Sequence, residues 1–135
     1  MSFMKFLKSD VYLKLSDMKN GLTEQEARWA LGVGLVLRKT RRDAYLVQED
    51  VAYKAGMGRL TMQRIEYGTT NPNLVTLLRL CSALNIQPSK LLMEVEKLMR
   101  HPKSFQVALD ARDAELLSTR SRVEKAPVKD SKAKD

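Results

Sequence analysis

The stretch Gln48-Glu49-Asp50-Val51-Ala52-Tyr53-Lys54-Ala55-Gly56-Met57-Gly58-Arg59-Leu60-Thr61-Met62-Gln63-Arg64-Ile65-Glu66-Tyr67 decides the fold. It divides at Gly56 into two short amphipathic segments. Ala52 places a small residue inside the first, Gly56 supplies a turn, and Met62 and Ile65 give the second an apolar face. Two helices that cross closely need these three features: a small residue at the crossing, a glycine between them and aliphatic side chains facing inward. Spacing alone leaves open an ordinary helical hairpin in which Gly56 is only a C-cap.

Outward from this stretch the elements stay helical. Downstream, a Gly-Thr-Thr-Asn-Pro-Asn loop leads to Leu74–Leu84, with Asn73 as N-cap. Pro88-Ser89 opens a further helix that carries Leu91, Leu92, Val95, Leu98 and Met99. Upstream, Thr23-Glu24-Gln25-Glu26 has the form of a capping box, so a helix is expected from Thr23 to about Arg42. That helix contains Gly32 and Gly34, each costing about 1 kcal/mol relative to Ala, which suits close helix packing.

The ends read differently. Phe3, Phe6, Leu7, Val11, Leu15 and Met18 recur at spacings of three and four, so residues 1–22 are expected to form an N-terminal amphipathic helical extension. Residues 23–100 form the central domain. Phe105, Val107, Ala108, Ala111, Leu116 and Leu117 mark a C-terminal helix within 101–117. From Ser118 the composition turns rich in Lys, Ser and Ala, and 118–135 is expected to be a disordered basic tail. No segment alternates with period two, so the fold class is all-α.

Composition narrows the function. The chain has 135 residues and a formal charge of +8, a surface that attracts polyanions, nucleic acid foremost. Its lone cysteine, Cys81, lies on an apolar-periodic stretch and permits no internal disulfide, which fits a reducing cytoplasm. No signal-peptide pattern and no membrane-length apolar run are present, so a soluble cytoplasmic protein with no membrane partner is expected. His101 is the only histidine. It stands beside Pro102 with no second ligand or nucleophile near it, so neither catalysis, nor a metal, nor a cofactor is expected.

A longer string carries a resemblance: Leu46-Val47-Gln48-Glu49-Asp50-Val51-Ala52, Ala55-Gly56-Met57, Ile65-Glu66-Tyr67-Gly68, Asn71-Pro72, Leu77-Leu78-Arg79-Leu80 and Ala83-Leu84-Asn85-Ile86. In this order and register it closely resembles the Xre/Cro-like phage-repressor family over Leu37 to Leu92. The resemblance implies a five-helix repressor-like helix-turn-helix domain, here with an added N-terminal helix, a C-terminal helix and the tail. It implies that Gly58–Tyr67 lies in the major groove of double-stranded DNA with the Gln48 helix across the backbone above it. Arg59, Leu60, Gln63 and Arg64 are then the candidate base contacts. Arg can fork onto guanine, Leu can meet a thymine methyl and Gln can pair with adenine. Gln48, Thr61, Arg38, Thr69, Thr70 and Asn71 are the candidate backbone contacts, with Lys39 and Arg42 widening the phosphate footprint. Arg41 and Glu66 occupy the family's structural ion-pair positions.

Three departures stand out against the family pattern. Gly58 and Val47 replace the usual Ser or Thr caps, and Tyr45 stands where Gly is common. They weaken or reposition the motif without abolishing it.

The expected function is a sequence-specific transcriptional regulator, a repressor that binds a palindromic operator as a homodimer. Recognition helices would sit about 34 Å apart. The apolar faces of Pro88–Arg100 and of Ser2–Asn20 are the candidate dimer surfaces. The alternative is a protein-interaction module of the same fold, an antitoxin or antiactivator, engaging a protein partner through the N-terminal or C-terminal extensions.

Overall fold

The computed structural model describes residues 22–125. Their helices are α1 (Glu24–Asp43), α2 (Gln48–Lys54), α3 (Arg59–Tyr67), α4 (Leu74–Leu84), α5 (Pro88–Arg100) and α6 (Pro102–Lys125). The fold is all-α, as the apolar periodicity implies. The expected N-terminal helix and the last residues of the tail lie outside the described residues.

Each helix begins and ends for a local reason. At the start of α1 the Thr23 hydroxyl accepts from the Glu26 amide at 3.1 Å, and Glu26 accepts from the Thr23 amide at 3.2 Å. The capping box therefore satisfies two amides that a bare helix start would leave unpaired. Asn73 caps α4 by accepting from the Thr76 amide at 2.8 Å, and Pro88 opens α5. The turns after α1, α2, α3 and α4 each hold one left-handed residue: Tyr45, Gly56, Gly68 and Asn85. A bulky side chain in that region costs roughly 1 kcal/mol, a cost that Tyr45 carries at a 94% exposed position.

The core is formed by Leu37, Val51, Ala52, Met62, Ile65, Leu80, Leu91 and Val95, all at most 1% exposed. α1 runs through the middle and packs chiefly on α5 and α3, while α2 packs on α3 and α4. Gly34 is required by this packing, and Gly32 lies at a tight side-chain contact. A Cβ on Gly34 would meet the backbone of α3 at Glu66 and, at 2.6 Å, the Ile65 carbonyl. On Gly32 it would meet Val95 Cγ1 at 3.0 Å and Phe105 at 3.6 Å. Cys81 is buried within α4, and burial pushes its thiol up from the ordinary value, so it is an inert core residue.

Two sequence readings change. Helix α6 continues through Lys125, past the expected boundary at Ser118. Residues 118–122 bury no side chain, but 118–125 contain neither Gly nor Pro, and a helix once nucleated propagates through Ser, Arg, Glu and Lys at little cost. Lack of a hydrophobic stripe therefore did not mean lack of a helix. The apolar stripe of α5 offered as a dimer surface is likewise taken up within the chain: Leu91, Val95 and Met99 are buried in the core, and only Leu92 and Met93 remain exposed. No helix among the described residues is long and apolar enough to cross a membrane.

Candidate nucleic-acid interface

α2, the Gly56 turn and α3 form a helix-turn-helix. Gly56 sits at φ 71° and lets the Met57 amide return to the Ala52 carbonyl at 2.9 Å, which turns the chain sharply between the two helices. With Ala52 and Ala55 buried at the crossing, α3 settles against α2 by its Met62 and Ile65 side.

This orientation sends the other side of α3 outward. Arg59, Thr61 and Arg64 are exposed, Gln63 is half-buried, and Leu60 is 56% exposed. Arg59, Leu60, Gln63 and Arg64 thus share one face by helical periodicity, opposite Met62 and Ile65. The helix begins in a way that does not favour its own stability: Gly58 offers no side-chain cap, the first turn has no acid, and Arg59 brings a cation to the positive end.

The other end of α3 is held firmly. Glu66 is 2% exposed and is gripped by Arg41 in a fork, Nε to Oε2 at 2.7 Å and Nη2 to Oε1 at 3.0 Å. Arg41 Nη1 also donates to the Leu46 carbonyl at 2.9 Å. Gln48 Nε2 donates to the same carboxylate at 3.1 Å. One network therefore ties α1, the Tyr45 turn, α2 and α3 together, with the buried charge paired and hydrogen-bonded as burial requires. Beside it Gly68, at φ 73°, passes so close to Leu31 that a Cβ would meet its Cα at 2.7 Å.

The sequence-derived backbone contacts fall into two groups. Thr61 and Asn71 are exposed and Thr70 is half-buried. Gln48 uses one amide hydrogen on Glu66 and keeps a second donor. Thr69 instead caps α3, its hydroxyl donating to the Arg64 carbonyl at 3.2 Å. Arg38 has a different partner from the one expected: its side chain is 12% exposed and pairs with Glu115 of α6, so it is not a free phosphate donor. Arg42 pairs with the same carboxylate, and Lys39 pairs with Asp43 at 2.9 Å. Burial by itself would raise the Glu115 pKa, but the hydrogen bonds and charges of Arg38 and Arg42 outweigh it and hold the carboxyl below its ordinary value.

Residues of α6 that sequence reasoning did not single out also reach this region. Arg112 Nη1 donates to the Tyr67 carbonyl at 3.2 Å, and its guanidinium lies 5.4 Å from the centre of the Tyr67 ring. The available signal was the stripe Phe105, Leu109, Arg112, Leu116 at spacings of four and three, in which Arg112 continues an apolar face. Among the described residues no group of His, Cys, Asp and Glu could hold a metal ion.

Residues 32–92 match the family model of the helix-turn-helix domain. Among solved structures, the clp gene regulator ClgR from Corynebacterium glutamicum is similar, with 21% identity over 67% of this chain and 88% of that one, at a TM-score of 0.52. A second crystal structure of ClgR gives 21% identity, covering 53% and 92%, at 0.51. The restriction-modification controller protein C.AhdI from Aeromonas hydrophila shares 35% identity over 46% of this chain and 94% of that chain, at a TM-score of 0.45. No curated protein matches the chain.

Proposed function

We propose that the protein, whose residues 32–92 match the helix-turn-helix domain model, binds double-stranded DNA and regulates transcription. The observation that carries the reading is the division of labour on α3, with one side and its last turn locked into the fold and the other side presenting Arg59, Leu60, Gln63 and Arg64 outward. Laid in a major groove, that side offers a guanidinium for guanine, an apolar contact for a thymine methyl and an amide for adenine. Thr61, Thr70, Asn71 and the second amide hydrogen of Gln48 flank it as backbone contacts. The charge of +8 adds a sequence-independent attraction. ClgR, of similar fold, carries a name that denotes regulation, which agrees with this reading.

The default mechanism is repression, a homodimer occluding a promoter at a palindromic operator. Leu74, Val75 and Leu78 lie on one side of α4, at 70%, 55% and 42% exposure, and this apolar side is better placed to pair two copies than the buried stripe of α5. The antitoxin or antiactivator reading has less support, because the segment Phe105–Leu117 docks on the chain's own core through Phe105, which is 4% exposed.

The test is footprinting and gel shift on DNA flanking the protein's own gene, comparing the wild type with an Arg59→Ala, Gln63→Ala double variant. The expected result is a discrete two-fold symmetric footprint that the variant loses, since each bidentate base contact discriminates by about 1 to 3 kcal/mol. Equal and non-specific binding by both proteins would rule out operator reading.

A further inference from the structure

The helix-turn-helix match ends at residue 92, yet α6, which begins at Pro102, comes back to the recognition helix. Phe105 anchors its first turns against Gly32 and beneath the Arg28 guanidinium, whose Cζ lies 5.2 Å from the ring centre. Two turns later Arg112 reaches Tyr67, the last residue of α3, and one turn further Glu115 takes Arg38 and Arg42 of α1. Phe105, Arg112 and Glu115 share one side of α6 at spacings of seven and three, so a single docking carries all three contacts.

The Arg112 contact is specific. The Tyr67 carbonyl is among the last of α3, which have no partner within the helix, and a cation there answers both the missing hydrogen bond and the negative end of the helix dipole. The guanidinium is also within cation–π range of the Tyr67 ring. Asp113 fixes its direction, accepting from Arg112 Nε at 3.1 Å and Nη2 at 3.0 Å, which leaves Nη1 aimed at Tyr67. The Arg112 side chain is 11% exposed, too enclosed to act as a phosphate contact itself.

We propose that Arg112 is a positioning residue for DNA reading: through it the C-terminal helix holds the trailing end of α3 and sets the angle at which Arg59, Leu60, Gln63 and Arg64 enter the groove. The proposal rests on the DNA-binding reading above and adds to it an element outside the matched domain. Arg41 and Gln48 fix Glu66 from one side of α3, and Arg112 fixes Tyr67 from the side of α6. Glu66, Met62, Ile65 and the glycine contacts seat α3 on α1 and α2, and Arg112 adds a hold from α6 on the carbonyl of its last residue.

The experiment uses the full chain. Wild-type protein selects a duplex from a random-sequence library, and the wild type, Arg112→Ala and Arg112→Lys are titrated with that duplex and with a scrambled one across a salt series. Arg112→Ala is expected to weaken binding to the selected duplex about tenfold, the usual scale for losing a hydrogen bond to a charged group. Its affinity for the scrambled duplex and its salt slope stay unchanged. Arg112→Lys, which keeps a cation and a donor beside Tyr67, recovers most of the loss. Amide exchange at Gly68 and Thr69 in the free protein quickens in the Ala variant and is restored in the Lys variant. If Arg112→Ala does not fold, Asp113→Asn, which takes away the carboxylate that aims Arg112, gives a smaller loss on the selected duplex alone.

Equal binding of the selected duplex by wild type and Arg112→Ala overturns the proposal. So does an equal loss on both duplexes with a salt slope shallower by about 0.9, which makes Arg112 a phosphate contact. A wild type that selects no sequence removes the DNA-reading function beneath the proposal, and that result is distinct from the other two.

Discussion

The two ends of the recognition helix are built on opposite principles. The last turn of α3 is fixed by a buried carboxylate with three donors, by a left-handed glycine pressed on Leu31 and by the Arg112 guanidinium. Its first turn has a glycine cap with open space around it, no acid and a cation at the positive pole. The difference teaches where a binding helix can do without stability. The end that meets the scaffold is over-determined, and the end beside the exposed Arg59 and Leu60 is left without the devices that would favour it for its own sake.

The comparison can be broken or sharpened by substitutions at each end. Glu66→Ala leaves Arg41 and Gln48 facing an empty buried site, and stability in denaturant titration should fall by about 3 to 5 kcal/mol. A fall of under 1 kcal/mol would mean the network is only decorative. Gly34→Ala drives a Cβ into the backbone of α3 at Ile65 and Glu66, where nothing flexible can yield. A loss of about 1 to 3 kcal/mol is expected, read as a lowered melting temperature. At the other end, Gly58→Ser adds the missing cap and should raise stability by only a few tenths of a kcal/mol. A change at Gly58 as large as that at Gly34 would erase the asymmetry.

The helix-turn-helix was legible because its determinants are local. A small residue, a glycine and two aliphatic positions fix how α2 and α3 meet, and the Thr23 and Asn73 caps announce their helices by residue type alone. The Gly32 and Gly34 pair signalled close packing, but not that Gly34 meets α3 and Gly32 meets α5. Long-range pairing of charges was opaque. Arg38 looked like one more surface cation until α6 folded back and brought Glu115 to it, 77 residues away in the chain. The extent of α6 was missed because apolar periodicity marks buried faces, whereas helicity beyond residue 118 rests on the absence of breakers. The α5 stripe was read correctly as apolar but given the wrong neighbour, since periodicity shows that a face is covered without showing by what.

Gly34 and Gly68 bear on how such a domain can diverge. Because α3 is seated by backbone against backbone at these glycines, its placement depends little on the identity of the side chains it turns away from the scaffold. Arg59, Leu60 and Arg64 are exposed and Gln63 is half-buried, so substitutions there are expected to disturb the buried side of α3 little. The outward side is thus separable from the scaffold that holds α3, so this surface can change without the fold changing first.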